Sequence, residues 1–323
     1  MPYNSQSMPA PRIAIVAPCY NEEQMLPLSI PVLLRLLDDM VATGVIAADS
    51  YVMLSDDGSR DATWAIITEA HKSDSRIKGI SLAHNRGQQA ALLAGLLTVR
   101  EQCDAAITID IDLQDDPGVI PEMVRQMREE HRDVVYGVRA SRATDSWFKR
   151  TSARTFYKLQ RSMGLETIYD HADFRLMSRK ALDMLSAYGE SHIYLRGLLP
   201  AIGLPSAVVK YDRSERAAGD TKYPFSRMLS LSIDGITSFT AQPMRLILVV
   251  GVVLLLIDIV VALYVLMAYF GGNAVSGWSS LMLSLWFLGS LVLIALGIIG
   301  EYVGKIFIEV KHRPRYAIKD RLE

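Results

Sequence analysis

Cysteine is scarce: Cys19 and Cys103 are the only two in 323 residues. Neither belongs to a Cys-x-x-Cys pair or lies near a histidine at metal-ligand spacing, so a disulfide framework is excluded and a reducing compartment is the natural reading. An excess of charge of either sign is also missing. The 34 Lys and Arg against 35 Asp and Glu leave a net charge of -1, which excludes a globally basic nucleic-acid binder and an acidic disordered tail. No Gly-x-Gly occurs anywhere and no Gly-x-x-x-x-Gly-Lys-Ser/Thr exists, so neither a Rossmann dinucleotide fingerprint nor a P-loop is available to bind phosphates. Met1 to Arg12 is polar and Pro-rich without an apolar core, and no secretory signal or transit peptide is expected there.

Apolar residues, by contrast, make up 50% of the chain, and the mean hydropathy is +0.19. Part of the protein is therefore expected in lipid. Leu246 to Phe270 is apolar except for Asp258, and its about 25 residues at about 1.5 Å each exceed the roughly 30 Å of bilayer hydrocarbon. Leu281 to Ile299 is a second uncharged run, and the loop between the two, Gly271 to Ser280, also lacks charge. This pattern predicts a two-helix transmembrane hairpin. Lys222, Arg227 and Arg245 precede it, and Lys305, Lys311, Arg313, Arg315, Lys319 and Arg321 follow it. By the positive-inside rule both ends face the cytoplasm, giving a multi-pass protein of the inner (cytoplasmic) membrane. Asp258 at the centre of an isolated span costs about 2.5 to 3.5 kcal/mol, so it is expected to face a partner helix or another protomer. Gly289, Gly297, Gly300 and Gly304 permit close helix packing, as in a homo-oligomer, without specifying an assembly. Pro224 to Phe239 mixes apolar and polar residues as an interfacial helix does. The expected organisation is a cytoplasmic domain over 1–221, interfacial helices over 222–245, two spans over 246–300 and a basic tail over 301–323.

Upstream of the membrane segment, short Ile/Val-rich runs at Arg12 to Ala17, Tyr51 to Ser55, Ile77 to Ala83, Ala105 to Ile109 and Val134 to Val138 read as strands. Amphipathic segments at Glu22 to Thr43, Ala62 to Lys72, Gln88 to Gln102 and Val119 to Glu130 alternate with them and read as helices, the last started by Asp116-Pro117-Gly118. This alternation predicts an α/β fold with a doubly wound, mainly parallel sheet whose ligand site lies at the carboxyl ends of the strands. Those ends carry Pro18-Cys19-Tyr20-Asn21-Glu22, Asp56-Asp57-Gly58-Ser59-Arg60-Asp61, His84-Asn85-Arg86-Gly87-Gln88 and Asp110-Ile111-Asp112-Leu113-Gln114-Asp115. Acids spaced i, i+2 at a strand end share a side and offer hard oxygens, which suits Mg²⁺ or Mn²⁺ carrying a diphosphate.

The combination of these loops resembles the GT-A glycosyltransferases of family 2, and within them the polyprenyl-phosphate branch of dolichol-phosphate-mannose synthases and bactoprenol glucosyltransferases. The likeness continues through Gly137-Val138-Arg139, Asp145 to Arg150, Asp173-Phe174-Arg175-Leu176, Arg216 to Tyr223 and Gly300-Glu301-Tyr302, so it runs from about Arg12 to Tyr316. Two departures stand out. Asp116 replaces the first of two prolines common after Leu-Gln-Asp, and no aromatic residue occurs near Ile202-Gly203.

The resemblance implies a GT-A, Rossmann-like cytoplasmic domain and an inverting hexosyltransferase that moves a sugar from a nucleotide sugar to a membrane polyprenyl phosphate. UDP-glucose is the favoured donor, with GDP-mannose and other UDP-sugars behind it. The product, a polyprenyl-phospho-sugar at the cytosolic leaflet, would serve cell-envelope glycan (lipopolysaccharide/O-antigen) modification. Asp112 with Gln114 is the implied holder of Mg²⁺ or Mn²⁺, while Asp110 meets the ribose or metal-bound water. Arg216 and Lys222 are implied as a basic clamp on the diphosphate, against the plainer reading of a loop meeting anionic headgroups. Pro18, Tyr20, Glu22 and Asp57 resemble nucleotide contacts. Arg139, Arg142, Lys149 and Arg150 supply charge for the acceptor phosphate, against a solvated basic face.

A lipid phosphate is already an anion at neutral pH and attacks without losing a proton. Asp173 resembles the family's acidic residue near the reacting centre and is accordingly assigned to orienting the sugar or the acceptor arginines, with Asp170 as its rival, and His171 and His192 as structural or exposed residues. A processive polysaccharide synthase of the same fold is the alternative, but no tryptophan follows an arginine as in Gln-x-x-Arg-Trp. A non-catalytic membrane sensor of nucleotide sugars is the reading from another class.

Overall fold

The computed structural model describes residues 9–139, 171–190, 195–212 and 277–323, together with scattered positions between 247 and 263. The chain divides into two units. One comprises Met1–Arg161, Glu166–Tyr223 and Pro314–Glu323; the other comprises Ser162–Leu165 and Pro224–Arg313.

The first unit is built on an eight-stranded sheet of β1 (Ile13–Cys19), β2 (Tyr51–Asp56), β3 (Ile77–Leu82), β4 (Ala105–Thr108), β5 (Val134–Arg139), β6 (His171–Ser178), β7 (Ser206–Tyr211) and β8 (Ile318–Leu322). Their spatial order is β7-β5-β6-β4-β1-β2-β3-β8. β4, β1, β2 and β3 run parallel, as does the β5–β7 pair. β6 is antiparallel to both β4 and β5, and β8 is antiparallel to β3. The five strands expected from apolar runs are all present. The last three were not anticipated, and each has a physical reason to hide. β6 buries Asp173 and Arg175 as a pair inside the sheet, so its sequence does not look apolar. β7 and β8 are edge strands whose exposed positions alternate with covered ones. Charges such as Lys319 and Arg321 on β8 are what an edge uses to avoid pairing with other chains.

Helix α1 (Leu26–Ala42) buries Leu26, Ile30, Leu33, Leu37 and Met40 at helical spacing. α2 (Thr63–Ser73) is amphipathic and shorter. α3 (Gln88–Val99) is apolar nearly all round, with seven residues from Ala91 to Val99 buried. It lies on β1 and β2, and the approach is close: a Cβ on Gly95 would stand 2.5 Å from the Val16 side chain. α4 (Ile120–Glu129) is entered through a 3-10 turn, Pro117–Val119, and the carboxylate of Asp116 accepts from the Gly118 N–H at 2.8 Å. The start signal in the sequence thus acts as a cap. α5 (Arg179–Ser186) is capped by the Ser178 hydroxyl accepting from the Ala181 N–H, and α6 (Leu195–Ala201) follows.

In the second unit, α7 (Trp278–Val310) is a continuous helix of 33 residues. Within its stretch Phe287–Val310, the most apolar part has a mean hydropathy of 2.1 and is unburied, and this is the one helix among the described residues long and apolar enough to cross a membrane. The helix therefore runs past the expected span Leu281 to Ile299. The other expected span, Leu246 to Phe270, is described only at scattered positions, all helical and all exposed except the partly buried Ile247, and the rest of it, Asp258 included, lies outside the described residues, as do the interfacial residues 222–245. Of the two expected spans, only the second is matched by an apolar helix of membrane-crossing length among the described residues.

The expected basic tail over 301–323 is not a separate segment. Its first part completes α7, and its last part is β8, with Gly79 opposite Leu322 and Ile80 opposite Arg321. Backbone pairing with β3 holds a segment whose composition alone reads as a solvated tail.

Candidate active site

The carboxyl ends of β1, β2, β4, β5 and β7 share one rim of the sheet, because these strands run parallel to one another or are related through β6. β6 runs the opposite way, so its beginning reaches the same rim. Thr108, the last residue of β4, lies opposite Arg175, and its hydroxyl donates to the Asp173 carbonyl at 2.5 Å. This register carries Asp173 to the level of the Asp110–Asp112 turn.

After β4 the chain alternates. Ile109 and Ile111 are buried in the core while Asp110 and Asp112 are partly exposed, as the i, i+2 spacing predicts. Ser29 on α1 fixes the turn by donating to the Ile111 carbonyl at 2.5 Å. Leu113 closes it at φ 47°, and its N–H donates to the Asp110 carbonyl at 3.1 Å. Asp112 accepts from the Gln114 N–H at 3.3 Å, and the Gln114 side chain is buried.

Asp110 accepts from Gln88 Nε2 at 2.7 Å. Burial first, then the neighbouring carboxylates of Asp173, Asp112 and Asp115, push its carboxyl up to about 7. This crowding is the signature of a place that wants a cation. Among the described residues no three His, Cys, Asp or Glu side chains close into a cage. The donors present are the Asp110 and Asp112 carboxylates and the Gln114 amide oxygen, all hard oxygen. That fits Mg²⁺ or Mn²⁺, which binds through one or two carboxylates and takes its remaining ligands from phosphates and water.

Asp173 is only 5% exposed and fully engaged. Arg175 donates to its Oδ1; Arg196 grips it side-on, Nε to Oδ1 at 3.2 Å and Nη2 to Oδ2 at 3.1 Å; and Gln89 Nε2 donates to Oδ2 at 3.1 Å. At the next position along the rim, Arg139 holds Asp115, Nη2 to Oδ1 at 3.2 Å. Here a cation and a carboxylate are paired rather than presented separately.

The part of the rim at the ends of β1 and β2, where nucleotide contacts are expected, is stitched together by its own polar residues. Asp57 accepts from the N–H groups of Arg86 and Gly87 at 2.7 and 2.8 Å, which clasps the loop after β3. Gly58 lies at φ 66°, and a Cβ there would stand 2.8 Å from the His84 carbonyl carbon, so the approach of these two loops requires glycine. Asn21, in the left-handed region at φ 53°, donates through its N–H to Ser59 Oγ at 2.9 Å and accepts from the Arg60 N–H at 3.0 Å. The Glu22 N–H donates to Thr63 Oγ1 at 2.8 Å. Pro18 is buried at the end of β1, while Tyr20 and Glu22 are partly exposed beside it. The Cys19 thiol, pushed up by burial and by Asp56 and Glu22, is held as an inert thiol.

The residues expected at the site from Pro18 to Arg139, and Asp173, thus lie on one rim. Arg142, Lys149, Arg150, Asp170, Arg216 and Lys222, with the side chains of His171 and His192, lie outside the described residues. Sequence reasoning missed Gln89 and Arg196. Gln89 directly follows the loop after the third strand and was within reach of the same rule; Arg196 sits in a short helix with no motif to mark it.

Residues 14–185 match the sequence profile described as "Glycosyl transferase family 2". The chain belongs to glycosyltransferase family 2. This transferase is 46% identical over 308 residues to the "Uncharacterized glycosyltransferase YkoT" of Bacillus subtilis (strain 168), covering 95% of this chain and 91% of the relative. It is 35% identical over 311 residues to the "Bactoprenol glucosyl transferase" of Shigella phage SfV, covering 96% and 98%. Among solved structures, glucosyl-3-phosphoglycerate synthase from Mycobacterium tuberculosis aligns over 70% of the transferase and 78% of its own chain, with 18% identity and a TM-score of 0.49.

Proposed function

We propose that this transferase moves glucose from UDP-glucose to a membrane polyprenyl phosphate, with inversion at the anomeric carbon, and releases a polyprenyl-phospho-glucose at the cytosolic leaflet. The observation that carries the reading is the Asp110–Asp112 turn facing the Asp173–Arg196 pair, in a chain alignable along nearly its whole length with a bactoprenol glucosyl transferase. In the reaction a phosphate oxygen of the lipid forms the bond to the anomeric carbon while the bond from that carbon to the diphosphate breaks, and UDP leaves with the electron pair. A divalent cation, when bound, supplies Lewis-acid neutralisation of the charge growing on the diphosphate. Asp112 with Gln114 would hold it and Asp110 would meet its bound water or the ribose, while Ser29 keeps their turn in shape.

Asp173 is a positioning residue. Two arginines and a glutamine amide stabilise it as a carboxylate, which makes it a poor proton acceptor, and a lipid phosphate needs none. Arg139 meets the acceptor phosphate from the end of β5, with Arg142, Lys149 and Arg150, while Arg216 and Lys222 close on the diphosphate. Tyr20, Glu22, Pro18 and Asp57 form the nucleotide side. The exposed apolar face of α7 supports attachment to the membrane that carries the acceptor.

The test is transfer of labelled glucose from UDP-glucose into lipid-extractable product by the full chain in detergent, with polyprenyl phosphate and Mg²⁺ or Mn²⁺. Chelation should abolish transfer, and Asp112→Ala should lower it by at least about 10²-fold, the scale of losing one transition-state charge stabiliser. Transfer that survives both overturns the metal assignment; absence of lipid product with every nucleotide sugar overturns the acceptor.

A further inference from the structure

Gln89 carries an unexplained polar atom. Its Nε2 donates to Asp173 Oδ2 at 3.1 Å, but its Oε1 is buried and has no hydrogen-bond partner among the described residues. The orientation of this amide is dictated by its neighbour. A carboxylate held by Arg175 and Arg196 accepts hydrogen bonds and donates none. The amide nitrogen must face Asp173, and flipping the group would set oxygen against oxygen. The buried ion pair therefore forces a bare carbonyl oxygen to point away from it. Leaving such an acceptor unsatisfied costs about 1–3 kcal/mol, which a folded protein tolerates where a ligand completes the bond.

The chemistry of the site narrows what that ligand is. Phosphate and diphosphate oxygens at neutral pH offer no hydrogen, so neither the donor's diphosphate nor the acceptor's phosphate satisfies Oε1. A hydroxyl does. Gln88, the preceding residue, holds Asp110 at 2.7 Å, so the two adjacent amides lie next to the carboxylates assigned to the diphosphate. That diphosphate joins two groups that carry hydroxyls, the ribose and the hexose, and Gln89 is bonded to Asp173, the residue assigned to orienting the hexose.

We propose that Gln89 reads the donor's sugar: its Oε1 accepts a hydrogen bond from one hydroxyl of the hexose, and Asp173 sets the direction of that bond. The proposal rests on the nucleotide-sugar reading above and adds the residue that selects among sugars.

The experiment compares UDP-glucose with its singly deoxygenated analogues on the full chain in detergent with Mg²⁺. Affinity is measured by calorimetry without acceptor, and kcat/KM with polyprenyl phosphate. The wild type should disfavour one deoxy analogue by at least about tenfold, because a site built to bond a hydroxyl rejects the analogue lacking it. Gln89→Met, of similar length but with no amide, should remove that one preference while leaving the other analogues' ranking and the affinity for UDP unchanged. Gln89→Asn, whose amide is withdrawn by one methylene, should do the same, and rescue is not expected. A uniform loss across all donors would mean a structural role, and an unchanged preference would mean that Oε1 meets only water; either overturns the proposal. Selective binding without transfer would overturn the polyprenyl acceptor and keep Gln89, whereas transfer without Gln89-dependent selectivity would do the reverse. Failure of UDP-glucose to bind at all would overturn both.

Discussion

Asp110 shows how strongly a residue's neighbours decide its chemistry. As an isolated carboxyl it would ionise near 3.9; on this rim, burial and three carboxylates hold it up to about 7. A group raised in the folded state binds protons that the unfolded chain has already lost. Its contribution to stability is therefore full below the unfolded value and is lost as pH rises through about 7. The metal-free protein should accordingly lose thermal stability between about pH 4 and 7, and Mg²⁺ or Mn²⁺ should restore it, most strongly at the alkaline end. Asp110→Asn should flatten this dependence, which a series of melting curves with chelator or metal checks. Asp173 makes the opposite case. Asp173→Asn should lower transfer by loosening Arg196 yet leave the acid limb of the pH–rate profile in place, since no proton passes through it. A profile whose acid limb disappears would restore Asp173 as a base.

At the level of elements, the site depends on how closely α3 lies on β1 and β2. Gln88 and Gln89 start this helix, so its position places both amides. The seat is Gly95, where a Cβ would stand 2.5 Å from the Val16 side chain. Gly95→Val should therefore destabilise by about 1–3 kcal/mol, the usual cost of overpacking a filled core, although valine is a better helix former than glycine. Denaturant unfolding of the detergent-solubilised protein reads this directly, and an unchanged midpoint would show that α3 can shift without loss. β6 is the other decisive element. Its antiparallel course brings Asp173 to the rim occupied by the ends of parallel strands, and no helix–strand alternation predicts that reversal.

For the whole molecule, the chain leaves the sheet unit, passes through α7 and returns to the sheet as β8. A helix of 33 residues extends roughly 50 Å at about 1.5 Å per residue, longer than the roughly 30 Å of hydrocarbon. With Phe287–Val310 apolar and unburied, the protein should sediment with membranes and resist an alkaline carbonate wash. Release by that wash would mean that α7 is covered by protein rather than by lipid.

What the sequence determined by itself was the set of pieces: five apolar strands, the helices between them, the acidic loops at the strand ends and the membrane-length run Leu281 to Ile299. These are local features, visible because periodicity and composition act over a few residues. Only the tertiary structure decided which polar groups meet. The pairing of β6 with β4, the grip of Arg196 and Gln89 on Asp173, and the docking of β8 on β3 join residues 23 or more positions apart, or strands that look unremarkable on their own. Contacts across such separations depend on sheet order and register, which the periodicity of any one segment does not contain.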